Sequence, residues 1–344
     1  MGNAKKTKIN VAINGFGRIG RAAFKAMIER HPEINIAAIN NLTDPKTTAH
    51  LFKYDSCYGT YPEEVSYTDK SLIVGGKEFL LLAEKDPAKL PWKELGIDIV
   101  IESTGIFRNL VGAGGHIKAG AKKVIISAPA KDEVIKNIVL GVNQDKLKKE
   151  DEIISMASCT TNCLAPVTDV IKNTFGIKKA IMTTIHAYTA DQNLIDNPHK
   201  DLRRARAAAL NMIPTTTGAA RAVAAAIPEV KGKFDGMAIR VPTPVVSICD
   251  VVFLIGKEAT AEEINSALKK AAKEPKYKGI LGVTDEPVVS TDLARNPHSS
   301  IVDLSLTKVV DNDLVKIIAW YDNEWGYSCR LSDLCGYIGE NNLV

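Results

Sequence analysis

Aromatic residues are scarce in this sequence, 6% of 344, and the six cysteines follow no dense or regular spacing. So few and such scattered thiols exclude a disulfide-stapled scaffold and fit reduced cysteines in a cytosolic, cytoplasmic setting. No apolar run approaches the roughly 20 residues of a membrane span. The polar start, residues 1–7 (MGNAKKT), has no apolar core for a secretory signal, and Lys6 stands where a myristoylation signal needs Ser or Thr. Blocks of one charge are also missing. The net charge is +4 with lysines and arginines spread along the chain, so nucleic acid is not the expected primary partner. What is present, 45% hydrophobic and 24% charged residues, is ordinary for a globular protein, and the length suits two domains that each bury a core.

Residues 158–166 (SCTTNCLAP) place a cysteine where an expected strand (152–157) turns into an apolar-periodic helix (164–171). At a helix N-terminus, free N–H groups and the helix dipole lower a thiol pKa from roughly 8.5, which makes Cys159 a candidate nucleophile. A buried structural cysteine among capping hydroxyls is the alternative. Cys163 follows at i+4. Two cysteines without a second ligand pair do not make a zinc site, so no metal is expected, and Cys163 reads as a small buried hydrophobe or an oxidation partner.

In chain order, a strand from Lys8 runs into Gly15, Gly17 and Gly20, a G-x-G-x-x-G that opens a helix over 22–30. Between a strand and a helix, such glycines make the tight turn and let a pyrophosphate approach the helix N-terminus. The second strand (34–39) ends in Asn40 and Asn41, where a dinucleotide fold usually presents a carboxylate to the adenosine ribose; Asp44 lies close by. Residues 72–74 and 78–82 flank Gly75-Gly76-Lys77 as a hairpin. Strands over 97–102 and 124–127 end in small polar residues, Ser103, Thr104 and Ser127 among them, as expected where a parallel sheet faces a cofactor.

A β-rich run over 179–185 delivers His186, a base suited to neutral pH with a nucleophile on the preceding unit. Residues 187–217 form a long irregular segment carrying Arg203, Arg204 and Arg206, then Thr215 to Gly218. Guanidinium forks and hydroxyls of this kind suit a small phosphate ester. Strands over 237–240, 247–255 and 315–321, a helix over 261–273 and a last helix after Trp325 complete an α+β second domain.

Seven separated motifs together resemble the phosphorylating (type I) glyceraldehyde-3-phosphate dehydrogenase family: residues 14–21 (NGFGRIGR), 158–166 (SCTTNCLAP), 186–189 (HAYT), 201–209 (DLRRARAAA), 213–219 (IPTTTGA), 240–244 (RVPTP) and 323–328 (NEWGYS). The resemblance implies an α/β chain. A Rossmann-type dinucleotide-binding domain would occupy 1–157, completed by a C-terminal helix in 324–344, and an α+β catalytic domain with a mainly antiparallel sheet would occupy 158–323. It implies a homotetramer with Cys159 as nucleophile and His186 as its base. Ser158, Thr160, Thr217 and Gly218 would bind one phosphate, and Thr189 and Arg240 the other, with Arg204 shared nearby. Gly15, Gly17, Arg18 and Ile19 would lie at the cofactor pyrophosphate, Asn41 at the adenosine ribose, Ser127 along the cofactor and Asn323 at the nicotinamide carboxamide.

The implied reaction is the reversible phosphorylating oxidation of glyceraldehyde 3-phosphate with inorganic phosphate and NAD, NADP being accepted too. Three residues depart from the family's usual pattern: Asn41 for Asp, Met156 for Asn and Asn197 for Leu. An erythrose-4-phosphate dehydrogenase is the nearest enzymatic alternative, and a non-catalytic nucleotide- or RNA-binding scaffold is the alternative of a different class.

Overall fold

The computed structural model describes residues 9–344, so the expected strand start at Lys8 and the polar residues 1–7 lie outside the described residues. The chain divides into two units. One runs to Ile138 and adds Asp145–Ala157 and Ser328–Val344; the other comprises Val139–Gln144 and Ser158–Tyr327.

The first unit contains β1 (Asn10–Asn14), α1 (Arg18–Arg30), β2 (Asn35–Asn40), α2 (Pro45–Lys53), the short pair β3 (Tyr54–Asp55) and β4 (Gly59–Thr60), then β5 (Val65–Thr68), β6 (Ser71–Val74) and β7 (Lys77–Leu82). β8 (Ile99–Glu102), α3 (Leu110–Lys118), β9 (Lys123–Ile126), β10 (Lys136–Asn137) and β11 (Ile153–Ser155) follow. The sheet order is β10-β11-β9-β8-β1-β2-β7-β6-β5. It is parallel from β10 to β7, and the hairpin strands β6 and β5 add antiparallel pairs. β8 and β9 are buried along their whole length, which is why both read as unbroken apolar runs rather than as alternation. Glu102 and Lys123 are the exceptions: Asn14 Nδ2 donates to the Glu102 carboxylate, and Lys123 Nζ donates to the carbonyls of Lys149 and Asp151.

The chain leaves β1 for β2 on one side and returns as β8 on the other. Ligands of open parallel sheets bind at the carboxyl ends of strands around such a reversal. Gly15 follows β1 there, and Ser103 and Thr104 follow β8.

The second unit contains α4 (Cys159–Phe175), β12 (Ile177–Ala187), β13 (Ile213–Thr216), α5 (Ala219–Ala226), β14 (Phe234–Val241), β15 (Ser247–Ile255), α6 (Ala261–Ala271), β16 (Leu281–Thr284), β17 (Ser300–Val310) and β18 (Leu314–Tyr321). α7 (Trp325–Glu340) begins at the end of this unit and runs into the segment that belongs to the first. The sheet order is β13-β14-β12-β15-β18-β17-β16. Its pairs are antiparallel except β12 with β14 and β16 with β17.

Strict alternation along β15 buries Cys249, Val251, Phe253 and Ile255 against Leu164, Val167 and Ile171 of α4 and Leu268 of α6. The opposite face carries Ile181 and Ile185 of β12 opposite Val252 and Ile248 of β15, and Ile181 is 62% exposed. β12 extends through Ala187, so His186 lies inside the strand rather than beyond its end, directly opposite Arg240 of β14.

Candidate active site

Three local devices present Cys159. Ser155 Oγ accepts the Ala157 N–H at 2.9 Å, Ala157 takes a left-handed conformation (φ 56°), and Ser158 caps α4 by accepting the Thr161 N–H at 3.1 Å. For an L-residue other than glycine the left-handed turn costs about 1–2 kcal/mol, which the surrounding hydrogen bonds must sustain. Cys159 is then the first residue of the helix, partly exposed, with its Sγ 3.5 Å from His186 Nε2. Cys163, one turn on, is fully buried against Ser300 and the Ala319 carbonyl and is a packing residue.

Burial dominates the electrostatics of the pair. It pushes the Cys159 thiol up to about 11, against the Arg240 charge and the hydrogen bonds of Thr160 that pull it down. Burial, and then the Arg240 charge, drive His186 down to about 3. The expected lowering of the thiol pKa by the helix terminus is opposed by burial of the sulfur beside His186.

Two side chains that order the site escaped the sequence reading. Tyr321 stands edge-on to the His186 ring, centroids 5.9 Å apart, and its hydroxyl bridges Thr160 Oγ1 at 2.9 Å and Thr184 Oγ1 at 2.8 Å. Ser247 Oγ accepts the Ala187 N–H at 3.0 Å and donates to Asn323 Oδ1 at 3.0 Å, fixing the Asn323 amide so that its NH2 is left to donate. The signal for Tyr321 was its place at the inward phase of an alternating strand; for Ser247 there was none.

The remaining candidates of this unit are spread around the pair. Arg240 Nη1 reaches His186 Nδ1 and the Ala187 carbonyl. Arg204 is held at all three nitrogens, with Nε on Thr215, Nη1 on Asp191 at 2.6 Å and Nη2 on the Thr216 carbonyl. Thr217 Oγ1 accepts the Ala219 N–H, and Gly218 opens α5 with no side-chain cap. Thr189, three residues past His186, offers its carbonyl to Gln192. Thr160's hydroxyl is turned inward to Tyr321.

In the first unit the glycine loop can be tested by asking what a Cβ would meet. On Gly15 (φ +92°) it would stand 2.7 Å from Thr104 N, and on Gly20 it would run into the Gly15 carbonyl; on Gly17 it meets nothing within 4 Å. Two glycines are thus required by the protein's own packing and the third leaves open space. Gly17 caps α1 without a side-chain hydrogen bond, and the first turn has no acidic residue, so an anion is favoured there. This cradle fits a dinucleotide pyrophosphate.

Arg18 is tied to Asp55 at 2.8 Å, Ile19 is half-buried beside it, and Ser127 follows β9 with its N–H on the Glu102 carbonyl. Asn41 follows β2, and its Nδ2 donates to Thr48 Oγ1 at 3.1 Å. Asp44 is occupied as the cap of α2, accepting the Thr47 N–H. Met156 is fully buried with its N–H on the Ile126 carbonyl, so it acts in packing. Asn197 is exposed, its N–H on the Ala205 carbonyl.

Comparison with known proteins bears on both units. Residues 9–110 match the family model for the glyceraldehyde 3-phosphate dehydrogenase NAD binding domain, and residues 158–323 match the one for the C-terminal domain of the same family. The chain is similar to the glyceraldehyde-3-phosphate dehydrogenase of Streptomyces coelicolor, 55% identical over 332 residues covering 96% of this chain and 98% of the relative. It is likewise 55% identical to that of Geobacillus stearothermophilus over 336 residues (97% and 99%) and to that of Borreliella burgdorferi over 332 residues (95% and 98%).

Proposed function

The chain belongs to the glyceraldehyde-3-phosphate dehydrogenase family, and from that premise we propose how its own residues oxidise D-glyceraldehyde 3-phosphate to 1,3-bisphosphoglycerate, reversibly, in glycolysis and gluconeogenesis. The observation that carries the reading is Cys159 Sγ at 3.5 Å from His186 Nε2, at the start of a helix and beside the Arg240 guanidinium.

The thiol proton passes to His186 Nε2 as sulfur bonds to the aldehyde carbon, and the imidazolium returns it to the developing oxyanion to give a thiohemiacetal. Nε2 then takes the hydroxyl proton as the carbon gives up hydride, leaving a thioester on Cys159. When bound, the nicotinamide supplies the hydride acceptor. An oxygen of inorganic phosphate adds to the thioester carbon, the C–S bond breaks, and acyl phosphate leaves with Cys159 restored as thiolate.

Ser158, Thr160, Thr217 and Gly218 hold the attacking phosphate in this reading, supported by the uncapped start of α5. Thr189 and Arg240 hold the ester, with Arg204 between them. NAD lies along a dinucleotide-binding domain of residues 1–157 and 324–344, with Gly15, Gly17, Arg18 and Ile19 at its pyrophosphate, Asn41 at the adenosine ribose, Ser127 along its length and Asn323 donating to the carboxamide. Residues 158–323 form the catalytic domain. NADP is also accepted, with NAD preferred, since Asn41 presents a neutral amide to the ribose.

A homotetramer is supported by the apolar outer face of the second sheet and by exposed Leu194, Ile195, Leu202, Leu210 and Met212 on the irregular segment. No helix of the described residues is long and apolar enough to cross a membrane, and the proposed setting is the cytoplasm. The erythrose-4-phosphate alternative is not favoured, because the relatives matched along nearly the whole chain carry the glyceraldehyde-3-phosphate name.

The test is absorbance of reduced nicotinamide with glyceraldehyde 3-phosphate, with and without phosphate. Sustained turnover that needs phosphate is expected, and Cys159→Ser is expected to lose turnover while still binding NAD. Turnover indifferent to phosphate, or retained in the serine variant, removes the thioester route.

A further inference from the structure

Asn40, Asn14 and Glu102 are the last residues of β2, β1 and β8, and they stand opposed in one row across three neighbouring strands at the carboxyl edge of the first sheet. All three are buried. Their neighbours in the row, Leu82 on β7 and Ile126 on β9, are apolar, so the polar trio is centred on the strands where the sheet order reverses.

Hydrogen bonds run along the row toward Glu102. The Glu84 N–H donates to Asn40 Oδ1 at 2.9 Å and the Glu84 carbonyl accepts from Asn40 Nδ2 at 2.8 Å, which fixes that amide. Asn40 Nδ2 also donates to Asn14 Oδ1 at 2.7 Å, and Asn14 Nδ2 in turn to Glu102 Oε2 at 2.5 Å. From the other side, the Trp92 indole N–H can only donate, and it lies 2.9 Å from His116 Nδ1. The ring proton therefore stands on Nε2, 3.1 Å from the same Oε2, with Asn14 Nδ2 beside it at 3.3 Å as the second donor to that oxygen. Glu102 Oε1 accepts the N–H and the hydroxyl of Thr104.

These bonds clamp the glycine loop. A Cβ on Gly15 would stand 2.7 Å from Thr104 N, and Ser103 Oγ donates to the Gly15 carbonyl at 2.7 Å. Glu102 holds both sides of that close approach, Asn14 before the turn and Thr104 against it. We propose that Glu102 is a positioning residue for the cofactor: supported by His116, it holds the loop over 15–20 in its receiving shape before NAD arrives, so that binding carries little ordering cost. The inference rests on the reading of that loop as the pyrophosphate site.

Glu102→Gln keeps the size of the side chain but brings an NH2 among groups that all donate. His116 cannot answer by moving its proton to Nδ1, because the indole N–H already occupies that side. Calorimetric titration of the full chain with NAD is expected to show at least about fivefold weaker binding, the effect of one buried donor left unmatched. The KM for NAD should rise with it, while kcat at saturating NAD falls far less. Adding Trp92→Phe frees Nδ1 for the ring proton and lets Nε2 accept from the new amide. The double variant should therefore bind NAD within about twofold of Trp92→Phe alone. Nitrogen NMR of the unaltered protein, which needs no variant to fold, should find the His116 proton on Nε2 with and without NAD.

A lowered melting temperature in Glu102→Gln, with NAD affinity unchanged below the transition, makes the network structural alone and overturns the proposal. So does a His116 proton found on Nδ1, or a double variant that binds NAD no better than Glu102→Gln. Gly17→Ala, whose Cβ meets nothing within 4 Å, separates this proposal from the reading beneath it. If it weakens NAD while Glu102→Gln does not, the loop is the pyrophosphate site and only the positioning role fails. If it leaves NAD binding unchanged, the pyrophosphate reading falls and the proposal falls with it.

Discussion

On the proposed reading Asn41 faces the adenosine ribose, and Thr48 orients its amide. Because the Asn41 NH2 is spent on Thr48 Oγ1, its carbonyl oxygen is left to accept from a ribose hydroxyl, which suits NAD better than a 2′-phosphate that can only accept. Asn41→Asp should therefore weaken NADP relative to NAD by about 1 kcal/mol, roughly fivefold, through charge repulsion at a partly exposed site. Thr48→Val should do the reverse by freeing the amide to turn its NH2 outward. Calorimetric titration of each variant with both cofactors measures the ratio; a ratio unmoved in both variants takes Asn41 away from the ribose.

At the scale of the element, α1 and its glycine loop separate packing from ligand contact. Gly20→Ala should lower thermal stability and damage the loop, because its Cβ collides with the Gly15 carbonyl, whereas Gly17→Ala meets only open space and should leave stability unchanged while weakening NAD. Melting temperature and NAD affinity, measured on both, divide the two roles; equal effects on both quantities would refute the division. The far end of α1 carries a pH-dependent clasp with α7. His31 Nε2 lies 2.8 Å from Asp333 and Nδ1 3.0 Å from Glu33. Burial opposes its charge, but the two carboxylates win and raise its pKa above 6.5. A raised histidine pKa contributes stability that is full below the unfolded value of 6.5 and is lost as pH rises through the folded value. The melting temperature should fall by on the order of a few degrees across that window, and His31→Gln should flatten the fall.

These elements also show what the sequence could reveal. The glycine loop was legible because its turn and its helix start are neighbours in the chain. β17 was not anticipated: Asp303 and Lys308 interrupt its apolar pattern, and the buried Asp303 accepts from Ser305 Oγ on its own strand and from Trp320 Nε1 on β18, a cross-strand partner the sequence does not announce. The contact of Arg240 with His186 spans 54 residues and depends on a parallel register that forms only in the sheet. The raised thiol was missed for the same reason, since a dipole argument uses local sequence and burial does not.

For the whole molecule, the outer face of the second sheet sets the expected assembly. Ile181→Asp places a charge on the most exposed apolar residue named there, and if the proposed homotetramer forms through this face, sedimentation should show it giving way to smaller species with the cysteine still alkylatable. An unchanged sedimentation coefficient would move the interface elsewhere. The division of the chain has a further consequence, for synthesis. The first unit includes Ser328–Val344, and Gly339 and Gly336 of α7 lie closely against Ile9 and His31. On a ribosome moving at roughly 5–20 residues per second, the part of the protein made first waits on the order of ten to forty seconds for its closing helix. Through that interval Ile9 and the end of α1 wait for the helix that packs on them, so the amino-terminal unit is the first to emerge and the last to be finished.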